Sequence, residues 1–379
     1  MQRIRETLAR LTRASTRDSR NTNNPQGPRL AHVGRTSSSA GSSRDRILYS
    51  ADGRGPCIVH DGVSDGEEGV DIVFVHGLFG SRLNSYTKGG VCWIRDLLGQ
   101  DVPNARIISW GWASALSSGD TFVGQAEQLL NDISDIRRGT RRPIIFVGHG
   151  LGGLLIKEAL GTAAISRIYG PHAELGNVYG PTVGCIFLGT PHTRSGKRTL
   201  GDCVAATAVL SPSMPSPSLL RALRDSNQLL ETQHSMFLLL SRDIKVVCIR
   251  EKLPTTITAS IDTIHDANGV ELGKGTMQTM VPKDSVSYEH FNVTKDEIPT
   301  NHLDLCRYKS KDDAGYLRIV SHIQKILSGS SQAEIEAQEP RNQGKCTIKP
   351  KDDHSRMSAS DFANQPLKKI SSMPCTLIP

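Results

Sequence analysis

The sequence of 379 residues has no long apolar segment and no closely paired cysteines. No run approaches the roughly 20 consecutive apolar residues that a transmembrane helix requires, so we expect no membrane-spanning segment. The eight cysteines lie far apart, without Cys-x-x-Cys or the Cys/His spacing typical of zinc sites. We therefore expect reduced thiols, no metal site and, since no other motif requires one, no cofactor.

An excess of one charge is also missing from most of the chain. The formal net charge is +7, but the first 43 residues hold eight arginines against Glu6 and Asp18, which is +6 and leaves +1 for the rest. These arginines are Arg3, Arg5, Arg10, Arg13, Arg17, Arg20, Arg29 and Arg35. A nearly neutral body argues against a nucleic-acid-binding face, so we expect no nucleic-acid partner.

The two ends of the chain differ in composition from its middle. Residues 1–44 begin with apolar residues at helical spacing among the arginines and continue as a Ser- and Gly-rich stretch, which predicts a short amphipathic helix and a disordered tether. Residues 329–379 are polar and aperiodic, which predicts a disordered tail. The remaining 45–328 form the predicted globular domain.

The basic head leaves the location of the protein open. An arginine-rich, acid-poor beginning is typical of mitochondrial import signals, but a solvated tail or a peripheral membrane contact fits the same composition. We expect an intracellular protein, cytoplasmic or, if residues 1–43 act as an import signal, mitochondrial.

Apolar runs and helical patterns alternate through the middle of the chain. The runs are rich in branched residues and apolar on both faces, which is typical of buried parallel strands. They cover 70–75, 105–110, 143–147, 183–188 and 244–249. Helical spacing follows at 126–136, 151–160 and 317–327. The pattern predicts an α/β fold with a doubly wound, mostly parallel sheet, and the longer stretch 197–243 predicts a helical insertion partly covering the site.

The segment FVGHGLGG, residues 146–153, resembles a nucleophile elbow in which the nucleophile is missing. The motif Gly-x-Ser-x-Gly places a serine on a sharp strand-to-helix turn, and here that position is Gly150. Glycine has no side chain that could attack a carbonyl carbon. It also adopts the strained backbone conformation of the elbow at little cost. The pattern therefore predicts a hydrolase scaffold without its nucleophile.

The other parts of a catalytic triad follow in the expected order. Glu251 comes directly after a strand, and His302 precedes the last helix, so elbow, acid and histidine have the chain order of α/β-hydrolases. The His-Gly loop after the first strand predicts the backbone N–H of Leu78 as an oxyanion donor, and the start of the elbow helix predicts that of Leu151.

Each of these assignments has an alternative. Asp284 competes with Glu251 as the acid, although an acid directly after the strand is favoured. His302 could instead cap the following helix. His149 and His192 are expected to bond backbone groups near the turn rather than to take part in catalysis.

Six sequence blocks resemble those of the serine-active-site-containing, lipase-like proteins, a family with a mammalian phospholipid-remodelling member and many fungal members. The blocks are FVHGLFGS, FVGHGLGGLLIKEAL, GCIFLGTPH, EKLP, VPKDS and NHLDLCRY. The resemblance covers roughly residues 68–328. It implies an α/β-hydrolase fold of esterase, lipase or transacylase ancestry, with Glu251 as the acid and His302 as the base. The family serine falls on Gly150.

Three functions are compatible with these residues. The first is a catalytically impaired hydrolase that binds an acyl or lipid-like ligand, or a protein partner, in the old pocket. The second is an active ester or lipid hydrolase, or a transacylase, in which Glu251 and His302 activate water or Ser81 attacks. The third is a signalling or scaffold module whose two ends carry the function.

Overall fold

The computed structural model describes residues 53–62, 69–112, 121–169, 176–197, 199–207, 210, 225, 227–256 and 277–338. The predicted basic head and most of the predicted tail lie outside these ranges, so the import signal and the disorder of the head stay predictions. Six of the eight cysteines fall within the described part; all six are buried and none forms a disulfide with another.

The strands form one large sheet and two short pairs. The seven strands of the large sheet are β1 (Gly55–His60), β2 (Val70–Val75), β5 (Ala105–Gly111), β6 (Ile144–His149), β7 (Thr182–Leu188), β8 (Lys245–Glu251) and β11 (Val293–Ile298). The pairs are β3 (Thr87–Lys88) with β4 (Val91–Cys92), and β9 (Thr255–Thr256) with β10 (Met277–Gln278). The order in the large sheet is β1-β5-β2-β6-β7-β8-β11. Only β1 is antiparallel to its neighbour in this sheet.

The described helices are α1 (Trp93–Asp96), α2 (Leu98–Asp101), α3 (Phe122–Ile136), α4 (Leu151–Tyr169), α5 (Gly176–Tyr179), α6 (Leu200–Thr207), α7 (Asn227–Leu240) and α8 (Ala314–Gln338). Short 3₁₀ turns span Asn84–Tyr86, Ser241–Asp243 and Leu303–Cys306. None of the described helices is long and apolar enough to cross a membrane.

The helices cover both faces of the sheet because the central strands are apolar on both faces. In β2, Val73 and Val75 pack with α3, α4 and α7, while Ile72 and Phe74 pack with α1 and α8. The same alternation runs through β5, β6, β7 and β8, as the side-chain period of two requires. The predicted doubly wound, mostly parallel sheet is confirmed.

Two sequence-based boundaries differ from the structure. The final helix continues to Gln338, ten residues into the segment predicted as a tail, where polar residues replace the apolar spacing. In the predicted insertion, helix α7 packs beside α4 on the sheet through Leu230 and Phe237, as part of the helical layer. Residues 211–224 of that insertion lie outside the described part of the chain.

Candidate active site

Five chain segments reach the same edge of the sheet, where parallel strands end. His76 follows β2, Gly150 follows β6, Gly189 follows β7, and Glu251 is the last residue of β8. His302 comes four residues after the end of β11. Sites in open α/β sheets lie at this edge because the loops that follow the strands converge there.

The turn between β6 and α4 is a tight elbow with Gly150 at its tip. Gly150 has φ +51°, the left-handed region that side-chain-bearing residues adopt only with strain. Its N–H donates to the carbonyl of Leu188 at 2.9 Å, and its carbonyl accepts from Thr190 Oγ at 2.9 Å and from the N–H of Gly153 at 3.1 Å. Hydrogen bonds therefore hold both the N–H and the carbonyl of Gly150.

At Gly148 and Gly152 of the elbow, neighbouring backbone atoms leave no room for a side chain. A Cβ at Gly148 would lie 2.6 Å from the Cα of Gly153, and one at Gly152 would lie 2.5 Å from the carbonyl oxygen of Val75. Gly150 differs, since a Cβ there would meet nothing closer than His302 Nε2 at 3.6 Å. Position 150 therefore has room for a side chain, and that side chain would point at the histidine.

His302 and Glu251 form a buried pair. His302 Nδ1 lies 3.5 Å from Glu251 Oε2, and the two side chains are 3% and 0% exposed. The other carboxylate oxygen accepts a 2.9 Å hydrogen bond from the N–H of Val281. Burial favours a raised pKa for Glu251, but His302 and the Val281 N–H together outweigh it, so the pKa is lowered and the acid is ionised at neutral pH.

Two hydrogen bonds hold the main chain of His302. Its backbone N–H donates to Thr255 Oγ at 2.9 Å, and its backbone carbonyl accepts from His149 Nε2 at 3.1 Å. The two imidazoles are 4.8 Å apart between centroids. Burial lowers the pKa of His149 to about 3, so this ring is neutral and serves as a donor to the loop. His302 therefore presents Nε2 to Gly150 and Nδ1 to Glu251, the arrangement of an acid–base pair in a triad.

The strand order, the glycine-packed elbow and the acid–histidine pair at the strand ends together decide the fold. This is the α/β-hydrolase fold.

Comparison with known proteins found similar sequences and similar solved structures. Protein SERAC1 of Danio rerio is 27% identical over 290 residues, which cover 68% of this chain and 39% of that protein. Protein SERAC1 of Homo sapiens is 26% identical over 286 residues with the same coverage. The chain thus spans well under half the length of these relatives. No family model matches it.

Two solved structures that the chain is similar to are lipases or lipase-related proteins. A lipase-esterase related protein from Clostridium acetobutylicum has a TM-score of 0.35 and 13% identity, over 72% of this chain and 99% of that one. Bacillus licheniformis lipase BlEst2 has a TM-score of 0.37 and 14% identity, over 65% and 91%.

In this hydrolase fold, the loop after β2 is a tight turn that carries Leu78. The N–H of Gly80 donates to the carbonyl of Gly77 at 3.1 Å, and Phe79 in between has φ +57°. A positive φ is uncommon outside glycine and indicates a conformation imposed by its surroundings. Leu151 is the first residue of α4, where N–H groups have no partner within the helix. Both placements suit the predicted oxyanion donors, whose role stays a prediction.

A buried clamp fixes the start of that loop. His76 Nε2 accepts from the N–H of Trp112 at 3.3 Å, Trp112 Nε1 donates to the carbonyl of His76 at 2.9 Å, and the rings stack 5.8 Å apart. Burial lowers the pKa of His76 to about 4, which keeps the ring neutral. His76 is therefore a structural residue.

The competing residues lie elsewhere. Asp284 is exposed, and its carboxylate accepts from Ser195 Oγ at 2.6 Å, so the structure brings Glu251 and not Asp284 to His302. Ser81 Oγ accepts from the N–H of Asn84 at 3.2 Å in a turn. His302 makes no side-chain cap of the turn that it precedes.

The two histidines that were expected to bond backbone groups behave differently. The prediction is confirmed for His149, whose Nε2 donates to the carbonyl of His302. It was wrong for His192, whose side chain lies in the core with Nε2 3.5 Å from Cys248 Sγ and whose backbone N–H contacts the carbonyl of Ser285. The reason is that the ring is completely buried and packs edge-on against Phe187 and Tyr288.

Sequence reasoning missed three residues that position the site. Thr255 anchors His302, and Thr190 anchors Gly150. Gly189 has φ +57°, and a Cβ there would lie 2.7 Å from Cε1 of the His302 ring. A signal existed for two of them, since Gly189 and Thr190 directly follow a predicted strand within the block GCIFLGTPH. Thr255 follows Pro254, outside every predicted strand, so the sequence gives no such signal for it.

Proposed function

We propose that this hydrolase-fold domain binds an acyl or lipid-like ligand, or a protein partner, without serine-dependent ester turnover. The observation that supports the proposal is the elbow. Position 150 points at His302 Nε2, and His302 is paired with Glu251, but residue 150 is glycine. Neither a base nor an oxyanion hole replaces a missing nucleophile. The likeness to lipases and to Protein SERAC1 supports acyl-ligand ancestry and no more.

The test is to return the hydroxyl. Gly150→Ser places Cβ about where the present geometry leaves 3.6 Å to His302 Nε2. We expect the variant to gain hydrolysis of short p-nitrophenyl esters by about 10²–10⁴-fold over the parent chain, and to become labelled by a fluorophosphonate at position 150. Gly150→Ala is the matched control, because it adds the same Cβ without the hydroxyl, and it is expected to stay inactive.

Two results would contradict this function. Fluorophosphonate labelling of the parent chain would show that another serine is activated. An inactive Gly150→Ser that folds normally would show that the acid–base pair is no longer competent.

A second function is supported by the retained pair itself. His302 with Glu251 has the components of a general base, which could activate water in place of a serine. In that case the parent chain hydrolyses esters slowly without being labelled, and His302→Ala abolishes the activity. The same assays therefore separate the two functions.

A further inference from the structure

We propose that the site takes a carboxylate anion with an apolar tail, such as a fatty acid, with its head group held between His302 Nε2 and the start of helix α4. This inference rests on the proposed function, because it requires that position 150 carries no nucleophile. It goes beyond that function in naming the charge and shape of the head group.

The first argument is geometric. In a serine hydrolase the serine oxygen and the oxyanion of the tetrahedral intermediate are bonded to one carbon, the former against the histidine and the latter against backbone N–H groups. The two oxygens of a carboxylate also share one carbon. With glycine at 150, one carboxylate oxygen can take the place of the serine oxygen, beside His302 Nε2. The other then faces the N–H of Leu151.

The second argument is the charge of the helix end. Helix α4 has 19 residues and no acidic residue in its first turn. The N-terminus of such a helix favours negative charge, since its first N–H groups lack helical partners and its dipole is positive there. The N-terminus of α4 therefore stabilises a bound carboxylate more than a bound neutral ester.

The third argument is the buried side chain that faces the helix end. His302 is 2% exposed, and a Cβ at Gly150 would lie 3.6 Å from its Nε2. Glu251, which is completely buried, contacts the other ring nitrogen at 3.5 Å. An imidazolium between Glu251 and a bound carboxylate would pair both charges, whereas a neutral ring would leave two buried anions sharing no cation. Charge pairing along this line of groups therefore favours an anionic head group over a neutral one.

The fourth argument concerns the tail. Two exposed apolar residues lie on the segments that hold His302. Leu253, two residues before Thr255 in the chain, is 49% exposed, and its N–H donates to the carbonyl of Thr300, two residues before His302. Met277, which pairs with Thr256, is 62% exposed. Exposed apolar side chains on these segments suit an amphiphilic anion better than acetate.

The experiment is calorimetric titration of the full chain with dodecanoate near pH 7. We expect saturable binding. Methyl dodecanoate, which has the tail without the charge, and acetate, which has the charge without the tail, should each bind at least about tenfold more weakly. His302→Gln should weaken dodecanoate binding at least about tenfold. The exposed Lys325→Ala is the matched surface control.

Gly150→Ser is the second variant, since its hydroxyl would occupy the place of one carboxylate oxygen and weaken binding without removing the histidine. Equal affinity for dodecanoate and its methyl ester, or full affinity in a folded His302→Gln, would each overturn the inference. Failure of the inference alone leaves Gly150→Ser gaining esterase activity. Failure of the proposed function is seen separately, as esterase activity or labelling of the parent chain.

Discussion

Two clusters of buried polar side chains contact helix α4, one at its first residue and one two turns later. The first contains Glu251, His302 and His149 at the strand ends. The second surrounds Lys157, which is 1% exposed and contacts His234 Nδ1 at 3.1 Å. They differ in one respect that decides their energetics: the first pairs a base with a carboxylate, and the second contains a buried amine that no described carboxylate pairs with.

Aromatic rings take the place of a counterion in the second cluster. Lys157 Nζ lies 5.2 Å from the ring centroid of Phe237, 5.6 Å from that of Tyr288 and 5.7 Å from that of Phe187. His192 stacks edge-on against Phe187 and Tyr288. Such contacts stabilise a cation by about 0.5–2 kcal/mol each, less than a buried charge loses in solvation. Burial accordingly lowers the pKa of Lys157 to about 7.

The comparison teaches that buried polar groups in one fold can have opposite effects. At the strand ends, contacts favour the ionised form of Glu251 and lower its pKa despite burial. Around Lys157, burial dominates and disfavours the charged form of the amine and of both neighbouring histidines. We expect removal of a charged group to abolish function in the first cluster and to increase stability in the second.

The largest expected effect concerns the acid of the first cluster. In the Gly150→Ser background, Glu251→Gln should lower the acquired esterase activity by about 10²–10⁴-fold, which is most or all of the gain, because the histidine loses the partner that fixes its tautomer and stabilises its charged form. Asp284→Asn in the same background is the matched control and should change little, since Asp284 bonds Ser195. Steady-state rates on p-nitrophenyl esters measure both. A larger loss in Asp284→Asn would reverse the assignment.

The next effect is an increase in stability. Lys157→Met keeps the length of the side chain and removes the charge, so we expect the free energy of unfolding at pH 7 to rise by about 1–4 kcal/mol. Exposed Lys325→Met should change it little. Urea unfolding monitored by circular dichroism is the measurement. Destabilisation of a folded Lys157→Met would mean that the contacts with the rings and His234 outweigh desolvation.

The same variant has a defined pH dependence. The pKa of Lys157 is about 7 in the folded protein and near 10.5 in an unfolded chain, so the unfolded state binds more protons between these values. The destabilising contribution of Lys157 is therefore complete below about pH 7 and disappears as the pH approaches 10.5. We expect the advantage of Lys157→Met to shrink over that range, in unfolding curves taken at several pH values. An advantage that is constant from pH 7 to 10 would contradict a charge effect.

The sequence predicts the centre of this fold better than its edges. The five central strands are continuous apolar runs, and they form where expected. The edge strands β1 and β11 were not predicted, because an edge strand is paired on one side only and does not need an apolar run; β11 reads VTKDEI. The end of α8 was missed for a similar reason, since its last residues lack apolar spacing.

The site shows the same limit. The elbow and Glu251 are predictable because each directly follows a recognisable strand. His302 is predictable because it lies before the final helix, where the order of a triad places the histidine. The Lys157 cluster is not predictable, because Lys157, His192, His234 and Tyr288 come from α4, the loop after β7, helix α7 and the loop before β11. Nothing in local spacing indicates that these four segments meet. Only the packing of α7 beside α4 brings them together.

The smallest expected effect tests how tightly the first cluster is packed. Gly189 and Gly196 have nearly the same backbone conformation, with φ +57° and +56°, but a Cβ at Gly189 would lie 2.7 Å from the His302 ring, whereas one at Gly196 would meet nothing within 4 Å. Both alanine variants suffer the left-handed strain of about 1–2 kcal/mol. In Gly189→Ala the added Cβ also has to displace His302, so we expect this variant to be less stable than Gly196→Ala by about 1–3 kcal/mol in urea unfolding.

In the Gly150→Ser background, Gly189→Ala should also lose the acquired esterase activity, and Gly196→Ala should keep it. Equal behaviour of the two variants would mean that His302 can shift without consequence, and that the first cluster is as tolerant of rearrangement as an ordinary surface loop.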